Sequence, residues 1–230
     1  MTHANAGAAT YVLIPGAATG PWYWDLVAAE LRERGQDVVA VDLPCDDDDA
    51  GLAEYVDATL TAIGDRTRPV VVGHSLGGFT APLVCAEMDV ELLVMLQAMV
   101  PAPGEAPGEW WTSTGHAEAV REQGGDGSMT DTYFHDVPPP LAAQALERTR
   151  TQSATPMGEP WPLTEWPDVP TRFLLCREDR LFPAPFMRRV VRERLGIVPE
   201  EMDAGHLPML ARPQELAQRL EDYRAEAMGA

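Results

Sequence analysis

The segment VVVGHSLGGF, residues 70–79, carries the strongest structural signal of this sequence. It opens with three β-branched residues, which are typical of a strand, and it runs on into an apolar segment of helical periodicity. Ser75 lies between the two, and glycines stand at positions 73, 77 and 78. Glycines leave room for a sharp backbone turn that lifts the serine hydroxyl out of the sheet. The segment therefore fits a G-x-S-x-G nucleophile elbow, which predicts a reactive serine.

Short apolar runs alternate with helical segments along most of the chain. Strands are predicted at Tyr11–Ile14, Asp37–Asp42, Val70–Gly73, Glu91–Gln97, Thr171–Cys176 and about Gly196–Met202. Helices are predicted at Pro21–Arg34, Ala50–Ile63, Leu76–Met88, Ala184–Leu195 and Pro213–Ala227. Strands that are apolar on both faces and separated by helices indicate a parallel sheet covered on both sides. The expected fold class is α/β, with a doubly wound, mostly parallel sheet of about six strands.

The alternation breaks in the segment 101–167, which is rich in proline and tryptophan. A loop of this length without secondary structure is improbable inside a compact domain. We therefore interpret 101–167 as an inserted cap that includes a helix at Leu141–Arg150, and 1–100 with 168–230 as the core. Tryptophans of a cap commonly form its own core, but beside a reactive serine some are expected to line an apolar pocket. The predicted pocket residues are Trp110, Trp111 and Trp161.

The composition excludes several classes of function. The net charge of −19 argues against nucleic acid and anionic membranes as partners, because both require basic patches. The sequence has no lysine, which excludes a P-loop lysine and a Schiff-base lysine. Its three cysteines form no CxxC pattern, so we expect neither zinc nor a disulfide framework. The aspartate run at 46–49 lacks the spacing of a calcium loop and is expected to be a solvated surface loop.

Cellular location and partners are predicted from the same patterns. The sequence contains no apolar run long enough to span a membrane and no signal-peptide pattern. We therefore expect a cytoplasmic protein that acts on a small-molecule substrate, with no nucleic-acid or membrane partner. Neither a metal nor an organic cofactor is expected, and a homodimer is left open.

A nucleophilic serine needs a base, and histidine is the usual one. The sequence contains five histidines, namely His3, His74, His116, His135 and His206. His3 lies near the terminus, His74 is expected to point away from Ser75 on the tight turn, and two others fall in the cap. His206 follows the last predicted strand, at the carboxyl edge of the sheet, where the sites of such folds gather. His206 is therefore the predicted base.

The base in turn needs an anionic group to orient it. The loop after the strand Thr171–Cys176 offers Asp179, which is the predicted acid. Glu178 is adjacent to it and Asp203 lies farther along the chain, and both remain alternatives.

Four segments carry a resemblance to a known family. They are VLIPGA at 12–17 followed by GPWYW at 20–24, GHSLGG at 73–78, CREDRLFP at 176–183, and AGHLPML at 204–210. Through them, nearly the whole chain outside the cap resembles an α/β-hydrolase, in particular the branch of plant-type methylesterases and hydroxynitrile lyases. The chain order serine, aspartate, histidine is also the order of that architecture.

The resemblance implies an oxyanion hole formed by the backbone N–H groups of Ala17 and Leu76. Pro15 replaces the histidine that usually opens the family's first motif, and backbone donors survive this replacement. Asp179 matches the family's acid, whereas Cys176 replaces the usual glycine three residues before it. The lyase members carry a threonine where this chain has Gly16, and a lysine directly after the catalytic histidine.

The predicted function is that of a serine hydrolase that cleaves a small, uncharged or weakly polar ester through an acyl-enzyme. Leu207 occupies the position of the lyases' lysine, so a departing cyanide would lack its stabilising cation. Three alternatives stay open. They are a carbon–carbon bond hydrolase or lyase with the same triad, a type II thioesterase, and a ligand-sensing receptor with slow turnover.

Overall fold

The computed structural model describes residues 8–123 and 127–229. In these ranges six strands form one sheet in the order β2-β1-β3-β4-β5-β6, with every neighbouring pair parallel. The strands are β1 (Thr10–Ile14), β2 (Asp37–Ala40), β3 (Val70–His74), β4 (Leu92–Leu96), β5 (Thr171–Cys176) and β6 (Glu200–Met202). The predicted α/β fold with a doubly wound parallel sheet is confirmed.

Ten α-helices surround the sheet within the described part of the chain. They are α1 (Asp25–Glu33), α2 (Leu52–Ile63), α3 (Gly77–Glu87), α4 (Pro107–Ser113), α5 (His116–Gln123), α6 (Met129–Tyr133), α7 (Pro139–Glu147), α8 (Ala184–Leu195), α9 (Pro208–Ala211) and α10 (Pro213–Gly229). Successive residues of a strand point to opposite faces of the sheet, so each strand contributes side chains to the hydrophobic cores on both faces. Val12 packs with α2, α3 and α8 on one face, whereas Leu13 packs with α1 and α10 on the other.

Several boundaries differ from the predicted ones for local reasons. Gly196 has a φ of 69° and ends helix α8 in a left-handed conformation, so β6 begins only at Glu200. The predicted helix Pro21–Arg34 opens with a 3-10 turn, Pro21–Trp24, before α1. Strand β4 ends at Leu96, because Gln97 adopts a φ of 42° that no strand can continue.

The segment 101–167 contains helices α4 to α7. Helix α7 spans Pro139–Glu147, two residues earlier at its start than the predicted Leu141–Arg150. A largely buried ion pair between Glu105 and Arg194 ties the start of this segment to α8. The division into a core and a cap remains our interpretation of this chain.

Glycines bring helix α3 into close contact with neighbouring loops. A Cβ at Gly77 would lie 2.7 Å from the Pro15 carbonyl oxygen, and a Cβ at Gly78 would overlap the Met99 carbonyl oxygen. Backbone atoms cannot give way as a flexible side chain does. The GHSLGG motif therefore has glycines here because the backbones that meet at this point leave no space for side chains.

We expect Gly78→Ala to destabilise the protein by roughly 1–3 kcal/mol, as overpacking of a tight interior does. Gly158→Ala is the matched control, because a Cβ at Gly158 has no other heavy atom within 4 Å. Urea unfolding followed by circular dichroism measures both free energies of unfolding. Equal midpoints for the two variants would contradict the packing argument.

Candidate active site

Ser75 lies on the sharp turn between β3 and α3. Its φ is 51°, a left-handed conformation that is rare for a residue other than glycine. Its carbonyl oxygen accepts hydrogen bonds from the N–H groups of Gly78 (3.0 Å) and Met99 (2.9 Å), which hold the turn. The side chain projects from the carboxyl edge of the sheet into a cavity.

The structure brings the three predicted residues of the site together. The His206 Nε2 atom lies 3.1 Å from the Ser75 Oγ, and the His206 Nδ1 atom lies 2.7 Å from the Asp179 Oδ2. All three side chains are buried. A carboxylate only accepts hydrogen bonds, so Nδ1 carries the imidazole proton and Nε2 is free to accept the proton of the serine hydroxyl.

The Asp179 carboxylate is surrounded by donors. Its Oδ1 accepts from the backbone N–H groups of Leu181 (2.7 Å) and Phe182 (3.1 Å). Its Oδ2 accepts from the Gln97 Nε2 at 2.7 Å in addition to the imidazole. Hydrogen bonds of this kind satisfy a buried anion and fix its orientation.

The two alternative acids lie elsewhere. Asp203 forms an ion pair with Arg177, and Glu178 is exposed. The contact of His206 Nδ1 therefore distinguishes Asp179 from both of its neighbours.

Gln97 is a site residue that the sequence analysis did not identify. Its side chain is fully buried, donating from Nε2 to Asp179 and to the Phe182 carbonyl oxygen (3.0 Å). Its Oε1 accepts from the Cys176 N–H at 2.8 Å. A polar residue directly after an apolar strand, at the carboxyl edge of the sheet, is the signal that could have pointed to it.

His74 lies beside His206 instead of away from the site. Its Nε2 donates to the His206 carbonyl oxygen at 2.8 Å, and the two rings are 4.9 Å apart. Burial, followed by the charge of the neighbouring His206, lowers the pKa of His74 to about 3. His74 is therefore a neutral donor that holds the backbone of the loop carrying the base.

The other histidines do not contact the serine. His116 and His135 bond through Nε2 to the carbonyl oxygens of Leu181 (2.7 Å) and Glu178 (3.0 Å), in the loop that carries Asp179. His3 lies outside the described residues.

A cavity of about 190 Å³ opens over Ser75. Its lining is mainly apolar and, within the described ranges, includes no aspartate, glutamate or arginine. Trp111 lines it as predicted, but Trp110 and Trp161 do not. Both of these indoles are buried in the core under α4, and they donate to the carbonyl oxygens of Val100 (3.0 Å) and Phe79 (3.1 Å), respectively.

Ala17 and Leu76 both border the cavity, on either side of Ser75. Among the residues that the structure describes, neither backbone N–H donates a hydrogen bond to a protein acceptor. A Cβ at Gly16 would lie only 2.9 Å from the Ser75 Cβ, so a larger residue there would crowd the serine. The two amides are thus available to a ligand oxygen.

Clusters of three or more histidine, cysteine, aspartate or glutamate side chains placed to hold a metal ion are absent from residues 8–123 and 127–229. No helix in the same ranges combines the length and the apolar character that crossing a bilayer requires.

Known proteins resemble this chain along most of its length. A model of the "Alpha/beta hydrolase family" matches residues 11–219. Methylesterase 3 of Arabidopsis thaliana is 25% identical over an alignment of 250 positions, gaps included, that covers 89% of this chain and 92% of that protein. The crystal structure of polyneuridine aldehyde esterase is similar in fold, with a TM-score of 0.76 and 21% identity over 94% of this chain and 99% of that one. The crystal structure of a pyrethroid hydrolase from Sphingobium faniae JZ-2 has a TM-score of 0.76 and 22% identity over 97% of this chain and 100% of that one.

His74 predicts a dependence of stability on pH. Its pKa falls from the usual 6.5 to about 3 on folding, so between these values the unfolded chain binds a proton that the folded protein excludes. Above pH 6.5 His74 is neutral in both states and does not change the free energy of unfolding. Below pH 6.5 the unfolded chain gains the proton, so the free energy of unfolding falls by up to about 1.4 kcal/mol per pH unit. Urea unfolding at pH 7.5, 6 and 5 measures this loss.

The matched variant is His74→Gln, which keeps a donor for the His206 carbonyl oxygen but cannot titrate. We expect its free energy of unfolding to fall less steeply between pH 6.5 and pH 5 than that of the wild type. Parallel pH profiles for the two proteins would contradict the assignment.

Proposed function

This chain belongs to the alpha/beta hydrolase family, and on that premise we propose that it is a carboxylic ester hydrolase with Ser75 as its nucleophile. The observation that carries the proposal is the hydrogen-bonded path from the Ser75 Oγ through the His206 imidazole to the Asp179 carboxylate. The names of its relatives, which include a methylesterase and a pyrethroid hydrolase, support ester hydrolysis as the reaction class.

In the proposed acylation step, the Ser75 Oγ attacks the carbonyl carbon of the ester while His206 Nε2 takes the hydroxyl proton. The carbonyl oxygen becomes an oxyanion, which accepts hydrogen bonds from the N–H groups of Ala17 and Leu76. The carbon–oxygen bond to the alcohol then breaks, and the alcohol leaves with the proton from His206. An acyl-enzyme on Ser75 remains.

Deacylation repeats these roles with water. His206 Nε2 removes a proton from a water molecule, whose oxygen attacks the acyl carbon. The second oxyanion binds the same two amides, and the carboxylic acid leaves as Ser75 regains its proton. Asp179 stabilises the imidazolium in both steps, and Gln97 and the backbone N–H groups of its loop keep the carboxylate in place.

The cavity supports a small, uncharged substrate. Its volume of about 190 Å³ is below the range typical of pockets for drug-sized ligands. A charged substrate would lose its hydration there without gaining an oppositely charged partner from an aspartate, glutamate or arginine of the described lining. We therefore propose an ester of a small apolar acid with a neutral alcohol.

The same surroundings favour ester hydrolysis over cyanohydrin cleavage. Leu207 is buried and borders the cavity at the position where the lyases carry a lysine. Arg180 pairs with Asp131, and Arg212 is exposed. A departing cyanide would therefore find an apolar side chain where it needs a cation.

The proposal also covers the cellular location, the partners and the cofactors of the enzyme. The enzyme is proposed to work in the cytoplasm on a small molecule, without a metal, an organic cofactor, or a nucleic-acid or membrane partner. A homodimer is compatible with these features, and light scattering of the purified protein measures the assembly.

Ser75→Ala is expected to abolish labelling by a fluorophosphonate probe and to remove ester turnover. His206→Ala should lower kcat by at least about three orders of magnitude, because loss of the base leaves the serine unactivated. His116→Ala and His135→Ala are the controls, since both bond to the acid's loop and not to Ser75. Full labelling of Ser75→Ala, or an equal loss in either control, would overturn the assigned roles.

Mandelonitrile and a short-chain aryl ester test the reaction class on one preparation. We expect phenol release from the ester and no benzaldehyde release above the rate without enzyme, because the described lining of the cavity offers no arginine to a departing cyanide and the sequence has no lysine. Efficient cyanide release with negligible ester turnover would contradict the proposed ester hydrolase.

A further inference from the structure

The loop that carries Ala17, one of the two proposed oxyanion donors, is hydrogen-bonded to residues 150–152 of the cap. Ala18 donates its N–H to the Gln152 Oε1 at 3.1 Å, and its carbonyl oxygen accepts from the Arg150 N–H at 2.8 Å. Ala18 directly follows Ala17. Both backbone polar groups of this residue are therefore bonded to the stretch 150–152, which returns from helix α7 to the core.

Ala18 needs such support because of its backbone conformation. Its φ of 58° lies in the left-handed region, which is unfavourable for alanine. Without partners, Ala18 would relax toward a negative φ, and the peptide between Ala17 and Ala18 would rotate. The Ala17 N–H belongs to the preceding peptide, which meets the rotated one at the Ala17 Cα, so the rotation reaches this N–H through the φ and ψ of Ala17. The peptide of that N–H is held on its other side by Thr19, whose Oγ1 donates to the Gly16 carbonyl oxygen at 3.0 Å.

Gln152 is itself held in one orientation. Its Nε2 donates to the Tyr55 hydroxyl at 3.0 Å and to the Ser153 carbonyl oxygen at 3.1 Å. Both are suitable acceptors for the amide nitrogen, so the amide oxygen faces the Ala18 N–H. Gln152 thus presents an acceptor whose position is set before any substrate binds.

The aspartate run at 46–49 contributes to the same anchor. The Arg150 guanidinium pairs with Asp42 at 2.7 Å and with Asp46 at 2.5 Å. The Ser153 N–H also donates to the Cys45 carbonyl oxygen at 2.7 Å. The run is exposed, as expected, but its first member helps to fasten the returning segment to the core.

We propose that Gln152 is a positioning residue for the oxyanion hole, acting through Ala18 on the direction of the Ala17 N–H. This inference rests on the proposed ester hydrolysis. It assigns to residues 150–152 of the cap an effect on the transition state in addition to any effect on substrate entry. Interactions that strengthen only in the transition state change kcat, whereas uniform binding changes KM.

The test compares Gln152→Met with Tyr55→Phe. Methionine has a similar length but offers no acceptor to the Ala18 N–H, whereas Tyr55→Phe removes only the partner at the other end of the same glutamine. We measure kcat and KM on an aryl ester, and the inhibition constant of a trifluoromethyl ketone, whose adduct with Ser75 carries an oxyanion. Thermal unfolding of each variant is recorded in parallel.

For Gln152→Met we expect kcat to fall about tenfold or more, less than the roughly 10²–10³-fold loss of a whole donor. KM should stay within about twofold, and the inhibition constant should rise by the same factor as kcat falls. Tyr55→Phe should stay within about twofold of the wild type in every parameter, because the Ser153 carbonyl oxygen still accepts from the Gln152 Nε2 and keeps the amide oxygen facing Ala18. A raised KM with unchanged kcat, or equal losses in both variants, would overturn the inference.

A measurement on the wild type covers the case in which Gln152→Met does not fold. Hydrogen exchange followed by ¹⁵N NMR should show a protected Ala18 amide, and exchange at the rate of an unbonded amide would overturn the inference. Failure of the proposed function is a separate result. Wild type without ester turnover removes the hydrolase, whereas wild type with full turnover beside an unaffected Gln152→Met removes only the role of Gln152.

Discussion

Ser75 holds a φ of 51°, and this left-handed turn lets strand β3 end and helix α3 begin within three residues. After this turn the backbone at Gly77 and Gly78 packs closely against neighbouring carbonyl oxygens. A side chain at either position would overlap them. The same geometry places both Ser75 and Leu76 at the cavity beyond the end of the sheet. The proposed nucleophile and one proposed oxyanion donor thus depend on the same backbone conformation.

The strand order places the remaining groups around this turn. The chain extends the sheet from β1 to one side with β2 and then to the other side from β3 onward. The loops after β1 and β3 therefore diverge and leave a crevice between them. The loop after β1 contributes Ala17 and the turn after β3 contributes Ser75. The loops after β5 and β6 then bring Asp179 and His206 to the same edge, because parallel strands all end there. The side chains of Ser75, His206 and Asp179 are therefore close enough to form hydrogen bonds with one another.

Local sequence patterns predicted those parts of the site that depend on strand ends and turns. Ser75, Asp179 and His206 each follow a predicted strand, and parallel strands bring such positions together. The position of Gln97 after an apolar strand could have indicated a site residue, but its partner Asp179 could not be predicted from periodicity. Gln152 has no such signal, because its role depends on a contact with Ala18, which is far away in sequence. For the same reason the tryptophans could be assigned to the cap region but not oriented, and only Trp111 faces the cavity.

The separation of the site along the chain has a consequence for biosynthesis. The serine and its base are 131 residues apart, and the Ala18 amide and its acceptor 134. A chain emerging from the ribosome exposes the serine long before residue 206 is synthesised. Throughout that time the Ser75 hydroxyl lacks its His206 partner, and the Ala18 N–H lacks its acceptor until residue 152 arrives. A polypeptide truncated before the last loop lacks the hydrogen-bonded path from Ser75 through His206 to Asp179, so under the proposed function only the chain that includes residue 206 would hydrolyse esters.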